Sequence, residues 1–363
     1  MQRLLIVAPN WLGDAVMALP AIADVRRALP GASITIAARP AIAPLFAMVP
    51  GVNDVMVFEK GGGNLSHWSN GGVRSDNQTR DAGFDLALLL PNSFHSALIV
   101  ARAGIRQRWG YRTDCRGLLL TRGVRRAPAG VHQVDYYQQL VHALDFPNGP
   151  PTPHLEVSPG LRDLGAAALR SAGWDGRTSI VARAPGAAYG PAKRWPPAFF
   201  ADLAVELARD GLATAMVGSA ADARTAAEVV EAVGGRAALV NLVGKTDLTT
   251  LAGTLATCRM LATNDSGGMH LAAALGVSVI AMFGPTNEDE TAPIASDARS
   301  TRPDRRATAF EPPAANRESG QRIVVLTHPV WCRPCMLREC PLDHACMRGI
   351  GTATVLEAAR RVL

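Results

Sequence analysis

The sequence predicts an α/β protein built from two Rossmann-like domains with parallel sheets. Short apolar runs alternate with segments of helical periodicity through both halves of the chain, the pattern of strands joined by crossover helices. The chain has 363 residues, more than one domain usually holds, and prolines crowd between positions 147 and 153. Hydrophobic residues make up 48% and aromatic residues only 5%, which favours the Ala, Leu and Val cores of packed α/β layers. We therefore expect a first domain over 1–153, a second over 154–352 and a separate final helix over 353–363.

The first half of the chain begins with a strand, a turn and a helix. An apolar run within Arg3–Pro9 predicts a buried strand, and apolar residues recur at helical spacing from Ala15. Further strands are predicted at 33–38, 54–58 and 86–90, and helices at 15–29, 41–49, 134–144 and a segment ending near 103. Gly, Ser and Asn dominate 60–80, where we expect a loop or lid. Because ligands bind at the carboxyl ends of parallel strands, the turns at 10–14 and 91–96 are expected at the functional edge.

The second half repeats this plan. Helices are predicted at 161–172, 198–209 and 248–258, with another ending at 233, and strands at 179–184 and 214–217. Residues 261–285 read as a strand, a tight turn, a helix and a second strand. A polar segment at 295–322 is expected to be irregular, and a strand, a cysteine cluster and the final helix complete the chain.

The turn within 261–285 predicts an anion site. The start of a helix presents free backbone N–H groups that attract phosphates. Acidic, amide and hydroxyl side chains, two glycines and a histidine surround this helix start, and they could bind a diphosphate and the hydroxyl groups that it carries: Asn264, Asp265, Ser266, Gly267, Gly268 and His270. This combination indicates a sugar nucleotide. The alternative is that the glycines only permit a sharp strand-to-helix turn.

Two further side chains are candidates for catalysis. Asp14 follows the first strand and could accept a proton from an attacking hydroxyl, or it could simply cap a helix. Lys193 lies in a proline-bracketed loop, where a fixed cation could neutralise a departing diphosphate, although exposed Lys-Arg pairs usually belong to the surface. The Gly-x-Gly-x-x-Gly pattern does not follow the first strand, which argues against a nicotinamide dehydrogenase.

Charge and hydropathy limit the classes of partner and the cellular compartment that we expect for the protein. No apolar run approaches the ~18 residues of a membrane span, and the N-terminus lacks the pattern of a signal peptide, so we expect a cytoplasmic protein. The net charge is +6, and the basic residues between positions 101 and 127 are Arg102, Arg106, Arg108, Arg112, Arg116, Arg122, Arg125 and Arg126. Such a surface could meet phosphates of lipids, acidic glycolipids or nucleic acid, or be only a solvated face. Without an RNA-binding signature, nucleic acid is not expected as a partner.

Four cysteines lie close together near the C-terminus. They follow a C-x2-C-x4-C-x5-C spacing: Cys332, Cys335, Cys340 and Cys346. In a cytoplasmic protein such a cluster favours metal over disulfides, but the spacing does not match a standard zinc finger. A structural zinc site, a redox-sensitive disulfide pair and simple thiols all stay open.

Four ordered motifs make the chain similar to the ADP-heptose:lipopolysaccharide heptosyltransferases, glycosyltransferase family 9, and most of all to the heptosyltransferase II members. The motifs are Pro-Asn-Trp-Leu-Gly-Asp at 9–14, Pro-Asn-Ser-Phe at 91–94, Pro-Gly-Ala through Pro-Ala-Lys-Arg-Trp-Pro at 185–196, and Thr-Asn-Asp-Ser-Gly with Met-His at 263–270. The resemblance implies the GT-B architecture, with acceptor binding in the first domain, donor binding in the second, and a final helix that packs back toward the first.

The resemblance also implies an inverting transfer of heptose from ADP-heptose to a heptose of the lipopolysaccharide inner core on lipid A. Asp14 is expected to be the general base and Lys193 the cation that stabilises the leaving ADP. The residues 264–268, His270 and, with a weaker match, Asp222 are expected to bind the donor. On the acceptor side the implied residues are Asn10, Trp11, Gly13, Asn92 and Ser93. Family members often carry a larger apolar residue where this chain has Gly268.

The implied reaction requires no metal, because a helix dipole and basic side chains replace the divalent ion. A lipid-linked acceptor implies peripheral contact of the arginine-rich segment with the inner membrane surface. Three alternatives remain at this point: a sugar-nucleotide epimerase of the same architecture, a non-catalytic nucleotide-sugar-binding module, and heptosyltransferase I or III.

Overall fold

The computed structural model describes residues 2–58, 68–70, 83–295 and 321–363. The chain divides into two compact units, Met1–Glu156 and Val157–Leu363. The sequence-based boundary at 153/154 lies three residues before this division. The predicted loop at 60–80, apart from 68–70, and nearly all of the polar segment at 295–322 fall outside the described residues. Within the described residues, no helix combines the length and apolar character needed to cross a membrane.

The first unit contains a seven-stranded sheet in the order β4-β3-β2-β1-β5-β6-β7. All neighbouring strands pair in parallel except β4, which is antiparallel to β3. The strands are β1 Arg3–Val7, β2 Ser33–Ala38, β3 Asp54–Phe58, β4 Trp68–Asn70, β5 Leu86–Leu89, β6 Gln107–Tyr111 and β7 Arg122–Val124. The helices are α1 Leu12–Met17, α2 Leu19–Ala28, α3 Ala43–Phe46, α4 Phe94–Arg102 and α5 Gln133–His142, with a 3₁₀ turn at Arg116–Leu119.

The helix predicted at 15–29 is in fact two helices, α1 and α2, which meet at Ala18. Pro20 lies in the first turn of α2. Because proline has no N–H, it cannot continue the bonding ladder of α1 but fits the start of a new helix. The first helix, α1, begins at Leu12, three residues earlier than predicted, so Asp14 lies inside a helix.

The second unit contains a six-stranded sheet, in which every pair is parallel, in the order β10-β9-β8-β11-β12-β13. Its strands are β8 Ile180–Ala184, β9 Ala213–Met216, β10 Leu239–Asn241, β11 Met260–Asn264, β12 Ser278–Phe283 and β13 Ile323–Thr327. Its helices are α6 Pro159–Ser171, α7 Pro197–Arg209, α8 Ala223–Val233, α9 Leu248–Thr257, α10 Gly267–Ala274, α11 Glu288–Thr291, α12 Ala345–Arg348 and α13 Thr352–Val362. Short 3₁₀ turns lie at Pro191–Lys193 and Ala220–Asp222.

Close packing around Trp195 holds the second unit together. Its side chain is fully buried, packs edge-on against Phe199 and Phe200, and donates from Nε1 to the Ile350 carbonyl at 2.7 Å. This bond fixes the approach to α13, whose apolar face belongs to the same core as α7. The predicted packing of the final helix toward the first domain stays a prediction.

Candidate active site

Each sheet has one position where the strand order reverses, and these positions bring the four sequence motifs together in two pairs. In the first unit β1 lies between β2 and β5, so the loop at 9–14 and the loop at 91–94 leave neighbouring strands at the carboxyl edge. In the second unit β8 lies between β9 and β11, which places the loop at 185–196 beside the turn at 264–268. Reversals of this kind create the crevice in which doubly wound sheets bind ligands.

Asp14 lies in the first turn of α1 and is partly buried. The N-cap residue of α1 is Trp11, so the alternative that Asp14 caps this helix is wrong. Burial raises the pKa of the Asp14 carboxyl above its ordinary value. The phenol of Tyr137 on α5 is buried too, which raises its pKa, and the charge of Asp14 adds to this effect. A carboxylate with a raised pKa is a stronger base, as proton abstraction from a hydroxyl requires.

The residues predicted to bind the acceptor differ in their surroundings. Asn10 is exposed, and Trp11 keeps 64% of its surface accessible. The Asn92 side chain bonds the Tyr136 hydroxyl at 2.9 Å. Ser93 caps α4, since its Oγ accepts from the Ser96 amide at 3.3 Å. Asn10 and Trp11 are therefore open to a ligand, whereas Ser93 has a structural function of its own. Gly13 lies in α1, directly before Asp14.

The arginine-rich segment is not a uniform basic surface, because it contains β6, β7 and one fully buried arginine. The Arg116 guanidinium donates to the carbonyls of Tyr111, Pro91 and Ser93. Burial lowers its pKa to about 10. Arg116 thus fixes the loop after β5. The exposed arginines of the segment are Arg102, Arg106, Arg112, Arg125 and Arg126.

A buried ion pair dominates the second unit's site. The Lys193 ammonium contacts Asp265 Oδ2 at 2.5 Å, and their side chains are 11% and 6% exposed. Thr286, which directly follows the Gly-Pro after β12, donates its hydroxyl to the same oxygen at 2.6 Å. Sequence reasoning missed Thr286, although its position after a buried strand was the available signal. Lys193 is therefore not a surface cation but a fixed one.

The Asn264 side chain is engaged in bonds within the second unit, and its predicted contact with a donor stays a prediction. Its side chain is fully buried, its Oδ1 accepts from the Trp195 amide at 2.9 Å, and its Nδ2 donates to the carbonyls of Pro185 at 2.8 Å and Gly186 at 3.1 Å. These bonds consume both amide hydrogens. In this structure Asn264 positions the loop after β8 next to the end of β11.

The start of α10 is open around its glycines. Ser266 is the N-cap residue, makes no capping bond with its side chain, and lies 3.2 Å from the Thr263 hydroxyl. A Cβ atom added to Gly268 would meet only Ser266 Oγ, at 3.6 Å. A Cβ atom at this position would therefore make only an ordinary van der Waals contact. His270 is 4% exposed within α10, one turn after the helix begins at Gly267.

Asp222 lies after β9, on the other side of the loop that follows β8. Its Oδ2 accepts from the Ser219 amide at 2.9 Å and the Ser219 hydroxyl at 2.8 Å, which forms a capping box. The carboxyl also lies against Gly186, where an added Cβ would come within 2.1 Å of it. Asp222 therefore borders the same crevice as Asp265 while it stabilises its own turn.

The four clustered cysteines line one cavity of about 450 Å³ together with Ala192 and Pro285. All four are free thiols. The pKa of Cys346 is raised mainly by its burial and, to a smaller extent, by the charges of the neighbouring thiols. Nowhere in the described ranges do three Cys, His, Asp or Glu side chains come close enough to hold a metal ion. The side chains as placed therefore do not form a zinc site, and zinc binding stays a prediction.

Comparisons with known proteins agree with this arrangement. A profile described as glycosyltransferase family 9 (heptosyltransferase) matches residues 74–316. Lipopolysaccharide heptosyltransferase 2 of Salmonella typhimurium is 33% identical over 308 residues, which are 82% of this chain and 87% of that protein. Lipooligosaccharide heptosyltransferase 2 of Campylobacter jejuni is 25% identical over 374 residues, which cover 100% and 98% of the two chains. The solved ADP-heptose lps heptosyltransferase II of Escherichia coli matches with a TM-score of 0.77 and 27% identity over 100% of this chain and 98% of that one. The predicted α/β fold of the GT-B class is confirmed.

Proposed function

Because the chain belongs to glycosyltransferase family 9, we propose that it transfers heptose from ADP-heptose to a heptose of the lipopolysaccharide inner core on lipid A. The observation that carries the proposal is the buried Lys193–Asp265 pair beside the start of α10, at the strand reversal of the second sheet. A fixed ammonium and the N–H groups of a helix start together provide a site for a diphosphate.

On the donor side, Lys193 and the first turn of α10 stabilise the negative charge that develops on the leaving ADP. The ammonium has three N–H donors, and the bond to Asp265 uses one of them. Both described bonds to Asp265 go to Oδ2, which leaves Oδ1 to accept from a hydroxyl of the donor sugar. Asp222 contributes a second acceptor at the border of this crevice, for nucleotide hydroxyls.

On the acceptor side, Asp14 accepts the proton of the attacking hydroxyl. As the new bond forms between that oxygen and the anomeric carbon, the bond from this carbon to the diphosphate oxygen breaks, so the configuration inverts in a single displacement. The raised pKa of Asp14 favours proton acceptance. No metal is needed for this sequence of bond changes, since the protein's own cation and helix dipole carry the leaving charge.

The lipid-linked acceptor requires contact with a membrane surface, and the carboxyl edge of the first sheet has suitable chemistry. Three large apolar side chains there are exposed: Leu118 at 98%, Trp11 at 64% and Phe94 at 41%. Arg112, Arg125 and Arg126, which follow β6 and β7, are exposed at this edge as well. Apolar side chains next to cations suit an anionic bilayer interface. These side chains support the proposal that the protein binds peripherally at the cytoplasmic face of the inner membrane.

The test is ADP release from ADP-heptose, measured with and without a heptosylated, Kdo-containing lipid A acceptor, together with the mass of the product. We expect acceptor-dependent release and the addition of one heptose. Equal release with an acceptor that lacks the first heptose would instead indicate heptosyltransferase I. ADP-heptose binding without transfer to any core acceptor would refute the proposal.

A further inference from the structure

The segment Arg333–Arg338 contacts the loop that carries Lys193 and the loop that carries Thr286, the hydroxyl partner of Asp265. The Met336 carbonyl accepts a hydrogen bond from the Tyr189 hydroxyl at 2.7 Å. The Arg338 carbonyl accepts one from the Ala192 amide at 3.0 Å. The Met336 amide donates to the Pro285 carbonyl at 2.9 Å, next to Thr286. Residues from a distant part of the sequence thus hold the loop after β8 and the loop after β12 in place.

Tyr189 is the point where this support reaches the catalytic cation. The Lys193 ammonium lies 4.6 Å from the centroid of the Tyr189 ring, and the Arg338 guanidinium lies 5.3 Å from it. An aromatic ring attracts a cation through its negative face, and this attraction is strongest where water is largely excluded. Lys193 is 9% exposed. Its ammonium is therefore held by a carboxylate and also by a ring that is itself anchored through its hydroxyl.

We propose that Tyr189 is a positioning residue for Lys193, whose ammonium it holds in one place, still paired with Asp265, to meet the diphosphate of the donor. A lysine side chain is flexible, and without the ring the described contacts would restrain its ammonium only through Asp265. The ammonium would then face the leaving ADP in fewer of its conformations. This inference rests on the proposed function, because it takes Lys193 to be the cation that meets the leaving group.

The expected signature separates positioning from general structural support. The leaving ADP gains negative charge as the bond to the sugar breaks, so a misplaced cation weakens the binding of the transition state and of ADP more than the binding of ADP-heptose. We expect Tyr189→Leu to lower kcat about tenfold and to weaken ADP binding by a similar factor, while KM for ADP-heptose changes less than threefold. Tyr189→Phe keeps the ring but loses the anchor to Met336 and should lower kcat about threefold.

A double-mutant cycle provides the decisive measurement. Tyr189→Leu, Lys193→Met and the double variant are compared by kcat in the transfer assay and by calorimetric binding of ADP. If Tyr189 acts through Lys193, its substitution costs less than twofold in the Lys193→Met background. An equal loss in both backgrounds would overturn the proposal, as would unchanged kcat and ADP affinity in Tyr189→Leu.

Two controls keep the outcome interpretable. Trp174→Leu removes another partly buried ring, which lies between α6 and the amino end of β8, away from the carboxyl edge of the same sheet. This variant should keep kcat and ADP affinity within twofold of the parent. The ADP measurements need no acceptor. If the two substitutions are coupled in ADP binding but no heptose is transferred, the proposed function is refuted and the role of Tyr189 is retained. If heptose is transferred but the effects of the two substitutions are additive, the proposed function is retained and the role of Tyr189 is refuted.

Discussion

Replacing Asn264 with Ala tests whether one buried amide joins the two halves of the donor site. The change removes three hydrogen bonds, to the Trp195 amide and to the carbonyls of Pro185 and Gly186, at a fully buried position. Each bond contributes about 1 kcal/mol net, so the free energy of unfolding should fall by about 3 kcal/mol. For a unit of this size, that loss corresponds to a decrease in Tm of roughly 6–12 °C.

Urea and thermal unfolding measure the stability, and the transfer assay gives KM for ADP-heptose. Because the loop after β8 loses its attachment, we expect KM to rise together with the loss of stability. Asn241→Ala is the matched control, since its Oδ1 accepts only a local bond from the Val243 amide at 3.1 Å and its side chain is partly exposed. The control should cost at most about 1 kcal/mol. A variant Asn264→Ala that is as stable as the control would refute the assigned role.

Three further outcomes follow from the same structure. Asp14→Asn should lower kcat by ~10²-fold or more, and kcat/KM of the parent should fall as the pH drops through the raised pKa of Asp14. Because its pKa is raised, the Asp14 carboxyl binds a proton more tightly in the folded state than in the unfolded chain, so the parent loses stability relative to Asp14→Asn as the pH rises. Thermal unfolding across pH should show the Tm values of the parent and the variant converge in acid. Ser93→Ala removes the cap of α4 and should cost about 1 kcal/mol in urea unfolding, whereas a direct acceptor contact would additionally raise KM for the acceptor. Gly253→Ala should lower the free energy of unfolding by about 2 kcal/mol, because an added Cβ would lie 1.9 Å from the Leu161 carbonyl oxygen of α6. A variant as stable as the parent would show that α6 and α9 can move apart.

The sequence predicted the buried strands well because their apolar runs are continuous, as in Arg3–Val7 and Ser278–Phe283. It missed the strands Gln107–Tyr111 and Arg122–Val124 at one end of the first sheet. Those strands carry arginines and glycines, and their backbone pairing is set by their neighbours, β5 for the first and the first for the second, and not by any local hydrophobic pattern. Their charge was therefore interpreted as a surface property.

The site residues show a similar limit. The motifs placed Asp265 at a helix start and Lys193 in a proline-bracketed loop, but the direct pairing of the two depends on the adjacency of β8 and β11, which are separated in sequence by two other strands. The contributions of Tyr189 and Thr286 depend on contacts with residues that are far away in the chain. The position of Thr286 after a buried strand indicated the functional edge of the sheet, but local patterns do not identify the partner of either residue, which only the folded chain shows.

The two neighbouring residues Asn264 and Asp265 show how the fold divides support from chemistry. The Asn264 side chain bonds the backbone of the loop after β8, and the Asp265 side chain bonds the Lys193 ammonium of that same loop and the Thr286 hydroxyl after β12. The first residue fixes the distance between the two loops, and the second uses that distance to hold the cation. Exchanging the two residues would keep the composition of the motif and place a carboxylate against the carbonyls of Pro185 and Gly186, so we expect Asn264→Asp combined with Asp265→Asn to fold poorly and to lack transfer activity, as circular dichroism and the transfer assay would show.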